Sequence, residues 1–306
     1  MGITPAQIDL FPGFAHSTVP VGEGIDIHCA HGGSGPPLLL LHGYPQTHVI
    51  WHKVAGRLAE RYSVVCADLR GYGDSSKPPG DADHANYSKR AMAQDQVRLM
   101  ESLGFRRFAV VGHDRGGRVG HRMARDHRDR VASLCVLDIS PTLKMFEQTD
   151  MAFAQAYYHW FFLAQPAPNP ETLIGRDPQY YLRWKTGGWG SRNHDHFDPA
   201  AYGEYARCFA DPAAIHGSCE DYRAAASIDL EHDRADIARK IDCPLLVLWG
   251  ERGVVHRMFE PLADWREVAT DVRGRALPGG HYIPEELPGE MLTELEPFLA
   301  ATAAAT

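Results

Sequence analysis

Six short strand-like runs, at residues 38–41, 64–67, 108–111, 134–137, 245–249 and 273–277, recur along the chain, with helix-like stretches near 54–60, 90–103, 117–126 and 260–268 between them. Short, mostly apolar runs spaced by helices read as strands buried on both faces. Strands and helices in alternation build a largely parallel sheet covered on both sides. The pattern therefore predicts an α/β fold with a mostly parallel, doubly wound sheet, and an antiparallel portion around residues 25–29 ahead of it. A chain of 306 residues is long enough to bury such a core.

The alternation breaks between Ser140 and about Asp233. That stretch is rich in aromatic residues and histidine and is punctuated by Pro166, Pro168, Pro170, Pro178, Pro199 and Pro212; strand patterning resumes at Pro244. Ligands of open parallel sheets bind at the carboxyl ends of the strands, so a helical lid inserted after the sixth strand is the natural reading. The expected organisation is a core of residues 1–140 and 234–306 with a helical cap at 141–233. The tail 300–306 is low in complexity and is expected to fray.

Directly after the run 108–111 comes Gly112-His113-Asp114-Arg115-Gly116. A strand, a sharp turn flanked by glycines and then a helix make the nucleophile elbow of α/β-hydrolases. Most such elbows carry serine. A carboxylate is a poor nucleophile for acyl transfer but a competent one for displacement at saturated carbon, which gives an alkyl ester on the enzyme. Asp114 thus points to cleavage of carbon–halogen or epoxide bonds. Leu41-His42-Gly43-Tyr44-Pro45 follows an earlier strand, and its turn brings the backbone amide of Tyr44 near the elbow. The amides of Tyr44 and Arg115 are the candidate oxyanion hole.

The chain has 17 histidines, so one near the C-terminus means little by itself. His281, preceded by Gly279-Gly280 after the last predicted strand, stands where a general base belongs. Asp138 closes the run 134–137, and a carboxylate ending a buried strand requires a partner. It is the favoured acid to orient His281, with Glu251 and Asp264 as competitors. Arg115 and Arg118 share a face at a helix N-terminus, where the helix dipole and each other disfavour them. Two guanidiniums beside the nucleophile make sense if the substrate carries a carboxylate; the alternative is salt bridging to acids of the lid. The aromatic run 157–162 reads at face value as a core helix. Asn193-His194-Asp195-His196 looks metal-binding but reads as a solvated loop, because no matching ligand spacing occurs elsewhere.

Other classes are disfavoured. A net charge of −8 argues against a nucleic-acid partner, though local arginines can still receive a small anion. The six scattered cysteines form no C-x-x-C pair and read as buried free thiols. No apolar stretch is long enough to span a bilayer and no signal sequence opens the chain. Met1-Gly2 starts like a myristoylation site, but Ala6 replaces the Ser or Thr required. A cytoplasmic protein is the expectation.

Taken together, His42-Gly43-Tyr44-Pro45, the segment Asp68-Leu69-Arg70-Gly71-Tyr72-Gly73-Asp74-Ser75, Gly112-His113-Asp114-Arg115-Gly116-Gly117-Arg118, His159-Trp160, Cys219-Glu220-Asp221-Tyr222-Arg223 and Gly280-His281 resemble the fluoroacetate dehalogenases, within the haloalkane dehalogenase and epoxide hydrolase group. The resemblance runs over nearly the whole chain. The first two motifs are widespread among α/β-hydrolases; the elbow arginines with a lid His-Trp and Tyr are far narrower. The resemblance implies that Arg115 and Arg118 hold the carboxylate of a small halogenated acid. It also implies that His159, Trp160 and Tyr222 hold the departing halide, and that the reaction needs no metal or organic cofactor. One departure is Tyr44, where an aromatic such as Phe is expected. Alternatives are an epoxide hydrolase using the same Asp114, His281 and Asp138 with Tyr222 and Tyr157 or Tyr158 as proton donors, a dehalogenase restricted to chloro- or bromoacetate, and a non-catalytic binding scaffold. A homodimer is the default assembly.

Overall fold

A computed structural model describes residues 9–190 and 193–303. Its strands, in chain order, are β1 (Ala15–Gly22), β2 (Ile25–Gly32), β3 (Pro37–Leu41), β4 (Ser63–Ala67), β5 (Phe108–His113), β6 (Val131–Leu137), β7 (Leu245–Gly250) and β8 (Val272–Leu277). They form one sheet in the order β1-β2-β4-β3-β5-β6-β7-β8. The β1–β2 hairpin and its pairing with β4 are antiparallel, and every later pairing is parallel. This is the α/β architecture expected, with the antiparallel portion at the N-terminal edge.

The central strands are covered on both sides, which is why they read as continuous apolar runs. Leu38, Leu39, Leu40 and Leu41 are wholly buried, as are Val110, Val111 and Leu134 to Leu137. Register then aligns the strand ends: Leu41 pairs with Gly112, Gly112 with Val136, and Val136 with Val247. The carboxyl ends of β3, β5, β6 and β7 therefore come level, and the loops that leave them meet along one edge.

Between β6 and β7 the chain is helical, from Thr142–Glu147 to Ile228–Ala235. Four of the six prolines that punctuate this stretch, Pro170, Pro178, Pro199 and Pro212, lie in the first turn of a helix instead of breaking one. Asp177, Asp198 and Asp211 each cap a helix by accepting a backbone N–H, with Pro178, Pro199 and Pro212 following at its first position. A proline there forfeits no hydrogen bond, and its fixed φ suits the helix. One expectation fails at the C-terminus. Helix Pro288–Ala303 continues into the tail with Leu299 and Thr302 buried, so residues 300–303 are ordered by packing that low complexity concealed. Residues 304–306 lie outside those described.

Candidate active site

The turn after β5 forces Asp114 to φ +46° and ψ −112°, a conformation that costs a non-glycine residue on the order of 1–3 kcal/mol. It persists because strand and helix are pressed together around it. A Cβ on Gly112 would lie 2.5 Å from the Gly116 carbonyl, and one on Gly116 would lie 2.4 Å from the Leu41 carbonyl oxygen. Helix Arg115–Asp126 starts immediately afterwards, with its amino end beneath the carboxylate.

Asp114 Oδ1 accepts the Tyr44 N–H at 3.0 Å, which leaves Oδ2 as the freer oxygen. The turn can come this close because residue 43 has no side chain; a Cβ there would meet Asp114 Cβ at 2.4 Å. Burial works to raise the pKa of Asp114, but His281, Arg118 and Arg115 outweigh it and hold the group below the usual aspartate range.

His281 follows β8, and its Nδ1 donates to Asp138 Oδ2 at 2.6 Å. The other oxygen of Asp138 accepts the Gly250 N–H at 2.9 Å, so the acid is fixed from two sides. Neither competitor occupies this place: Glu251 is exposed, and Asp264 accepts from the Ser140 hydroxyl at 2.8 Å. His113 lies against His281, with ring centroids 4.5 Å apart and Nε2 donating to the His281 carbonyl. Burial lowers the pKa of His113 to about 3, so it packs as a neutral ring.

The two arginines are used differently. Arg115 gives Nε and Nη2 to the carboxylate of Asp221, at 2.8 and 2.6 Å, and stacks 4.2 Å over the Tyr222 ring. Asp221 also receives Lys89 and the Tyr72 hydroxyl. Arg118 donates to Ser140 O at 3.2 Å and Thr142 Oγ1 at 2.8 Å, and lies 4.7 Å over Trp160. Among the described residues, Arg115 Nη1 and Arg118 Nε have no partner although buried.

The aromatic residues close the site from above. Tyr222 packs edge-on to Tyr44 at 5.3 Å and to His159 at 5.5 Å, and Trp160 lies 6.5 Å from Tyr222. Tyr44, where the sequence resemblance leads us to expect an aromatic such as Phe, stacks parallel to His159 at 6.3 Å. His159 Nδ1, Trp160 Nε1 and the Tyr222 hydroxyl are buried, also without partners among the described residues. Burial drives the His159 pKa far below its usual range, with Lys185 and the two arginines adding to the effect. Buried polar groups are normally paired. Unpaired groups of Arg115, Arg118, His159, Trp160 and Tyr222 near Asp114 describe a site shaped for something that accepts hydrogen bonds.

Two residues of the segment between β6 and β7 escaped the sequence reading. The Trp189 carbonyl accepts the His281 N–H at 2.9 Å, and its ring lies 5.1 Å from the imidazole. Lys185 is buried with Nζ 3.8 Å over the Trp189 ring. Burial pushes its ammonium well below the usual lysine range, against the attraction of Asp114. A lysine among lid tryptophans was the available signal, but only folding brings it toward Asp114.

The family described as the alpha/beta hydrolase fold matches residues 36–286, and the chain belongs to it. Within that family the chain is 53% identical over 291 residues to a fluoroacetate dehalogenase of Burkholderia sp., covering 95% of each. It is 34% identical over 281 residues to a soluble epoxide hydrolase of Corynebacterium sp. (strain C12), covering 91% of this chain and 95% of that one. Among solved structures, a candidate alpha/beta hydrolase from Nostoc sp. PCC 7120 superposes with a TM-score of 0.92 at 56% identity, covering 94% of this chain and 98% of the other.

Proposed function

We propose that the chain is a hydrolytic haloacetate dehalogenase that converts fluoroacetate and water to glycolate and fluoride, with residues 141–233 as the cap over its site. The observation that carries this reading is that buried polar groups of Arg115, Arg118, His159, Trp160 and Tyr222, unpartnered among the described residues, lie near an ionised Asp114. Fluoride is small, strongly hydrated and a poor leaving group, so its departure needs several donors aimed at the developing charge. The free Nη1 of Arg115 and Nε of Arg118 suit the substrate carboxylate. The 53% identity to a fluoroacetate dehalogenase supports the same substrate class.

In this mechanism Asp114 Oδ2 attacks Cα of the haloacetate. The carbon–halogen bond breaks, and the halide leaves with the bonding pair toward His159, Trp160 and Tyr222. His281, oriented by Asp138, then takes a proton from water as the oxygen attacks Cγ of Asp114. The Tyr44 and Arg115 amides stabilise the oxyanion. The ester C–O bond breaks, glycolate departs with the proton returned by His281, and Asp114 retains one oxygen from water and releases the remaining proton to solvent, which restores its carboxylate. No step calls on a metal or organic cofactor.

The 34% identity to an epoxide hydrolase favours a second reading, in which Tyr222 and Tyr157 protonate an opening ring. Tyr157 is buried among the lid aromatics, whereas Tyr158 is 37% exposed and points away from such a role. Against it stand the two buried arginines, for which a neutral epoxide offers no carboxylate. Fluoride release from fluoroacetate, with chloroacetate and styrene oxide in parallel and Asp114→Asn as control, tests the proposal. Fluoride lost in the control supports it; turnover of the epoxide alone overturns it. Single turnover in heavy-oxygen water should label Asp114 and leave the first glycolate unlabelled; label in that glycolate would mean water attacks carbon directly.

All six cysteines are free and buried, which supports a reducing cytoplasmic setting. Among the described residues no helix is long and apolar enough to cross a membrane. A homodimer is proposed as the working assembly, to be tested by light scattering.

A further inference from the structure

Three imidazoles meet on the antiparallel edge of the sheet, apart from the Asp114 machinery. In the β1–β2 hairpin His16 pairs with Ala30 and Thr18 with His28, which puts His16 and His28 on the same face as diagonal neighbours. Long side chains close that diagonal, and the two rings lie 5.8 Å apart. His48, in the helical turn His48–Trp51 after β3, approaches from the core, with its ring 5.1 Å from His28 and 6.1 Å from His16. One ring nitrogen from each of the three lies within 4.8 Å of the others.

Chance crowding of surface histidines does not account for how the third is held. His48 is buried, and Asp68 Oδ1 accepts both its backbone N–H at 2.7 Å and its Nδ1–H at 3.0 Å. That puts a proton on Nδ1 and leaves Nε2 as the nitrogen available to a ligand. A carboxylate behind an imidazole is the usual outer support of a metal-ligating histidine, since it sets ring orientation and raises basicity. Asp68 also accepts the Asp74 N–H at 2.9 Å, so the same acid positions the neighbouring loop. Asp74 and Glu204 line the cleft of about 720 Å³ that holds the three histidines, and Arg207, which also lines it, pairs with both acids, at 2.6 Å to Asp74 and 2.9 Å to Glu204. Glu204 comes from helix Pro199–Phe209, in the segment between β6 and β7. His16, meanwhile, makes no side-chain hydrogen bond among the described residues and already packs against the rings of His28 and His48.

Three imidazoles whose ring nitrogens lie within reach of one ion suit a divalent ion of the zinc class, which takes nitrogen at about 2.0–2.1 Å in tetrahedral geometry. Calcium and magnesium prefer all-oxygen shells. We propose that His16, His28 and His48 form a zinc-class metal site at the hairpin edge, with its fourth position left to water. Bound metal ties the β1–β2 hairpin to the turn after β3, a link otherwise made by edge pairing and ring packing. It stabilises the folded chain by mass action.

The test is calorimetric titration of the metal-stripped full chain with zinc chloride, beside His16→Ala and His28→Gln variants whose folds are checked by circular dichroism. His16 is exposed and His28 half-buried, so both variants are expected to fold. Expected are one equivalent of zinc bound, a higher unfolding midpoint with zinc, and affinity weakened at least about tenfold in either variant. Cobalt(II) in the same site should show tetrahedral d–d bands without thiolate charge transfer. Unchanged affinity in both variants, or no binding at millimolar zinc, overturns the proposal. So does a thiolate band, which would move the ion to the neighbouring Asp74, Glu204 and Cys208 group.

Discussion

Replacing Tyr222 by Phe separates the proposed role of its hydroxyl from the structural role of its ring. The ring holds the Arg115 guanidinium at 4.2 Å and packs on Tyr44 and His159, and phenylalanine preserves all of this. The hydroxyl is buried with no partner among the described residues, so its loss leaves no protein hydrogen bond broken. Carrying an unpaired buried polar group costs roughly 1–3 kcal/mol, so the unfolding midpoint should stay level or rise. In the reaction the same hydroxyl would meet a departing fluoride. Removing one preorganised donor to developing charge costs about 3 kcal/mol, or roughly 10²- to 10³-fold in kcat. Bromide leaves more readily and needs less help, so bromoacetate should lose roughly tenfold or less. Fluoride- and bromide-selective electrodes, with a thermal melt of both proteins, give the comparison. Equal losses on the two substrates, or a lower melting point with no fluoride-specific loss, would refute a halide role for Tyr222.

Three further changes probe the rest of the site. His281→Gln should release one equivalent of halide per enzyme and then stop, with the Asp114 peptide heavier by the acyl-linked glycolate in a mass spectrum; steady turnover would exclude His281 as the base for ester hydrolysis. Gly43→Ala puts a methyl 2.4 Å from Asp114 Cβ and 2.7 Å from Oδ1, and displacing the nucleophile should lower kcat by about a hundredfold in a halide-release assay. Burial raises Glu285 to about pKa 7, despite the Tyr205 hydroxyl and Lys53 beside it. The folded state then binds more protons than the unfolded one between the ordinary glutamate value and about 7, so its stability falls as pH rises through that window. Glu285→Gln should flatten this decline in urea titrations at pH 5 and pH 8; an unchanged slope would place the titration on another group.

The sheet was legible because its signal is local and repeated. Each buried strand is a short run such as Leu38–Leu41, and the elbow announces itself in five residues between glycines. Asp114, Asp138 and His281 could be singled out because each follows directly on a strand run, β5, β6 or β8, as a chemically conspicuous residue in the loop that leaves it. The β1 strand, residues Ala15–Gly22, was harder to see. It is an edge strand with most of its side chains exposed or half-exposed, so no apolar run marks it. Helix Pro288–Ala303 was hidden by alanines and threonines that say nothing of what they pack against.

Where sequence reasoning stopped short was at pairings made across long separations. Arg115 and Arg118 read alike in sequence, as two cations on one helical face. Folding makes them different. Asp221, 106 residues downstream, takes two of the Arg115 nitrogens and shares its charge with Lys89, while Arg118 turns to a carbonyl, a hydroxyl and the face of Trp160. In sequence a lid acid and a substrate carboxylate look like alternative partners, yet a guanidinium presents several donors in a fixed fork and can serve both. Asp221 fixes the plane of Arg115 and offsets its buried charge, which leaves Nη1 presented without rotational freedom. A guanidinium ordered before substrate arrives loses less entropy on binding it. The salt bridge that would have explained Arg115 away is, on this reading, what makes it able to orient a small carboxylate against Asp114.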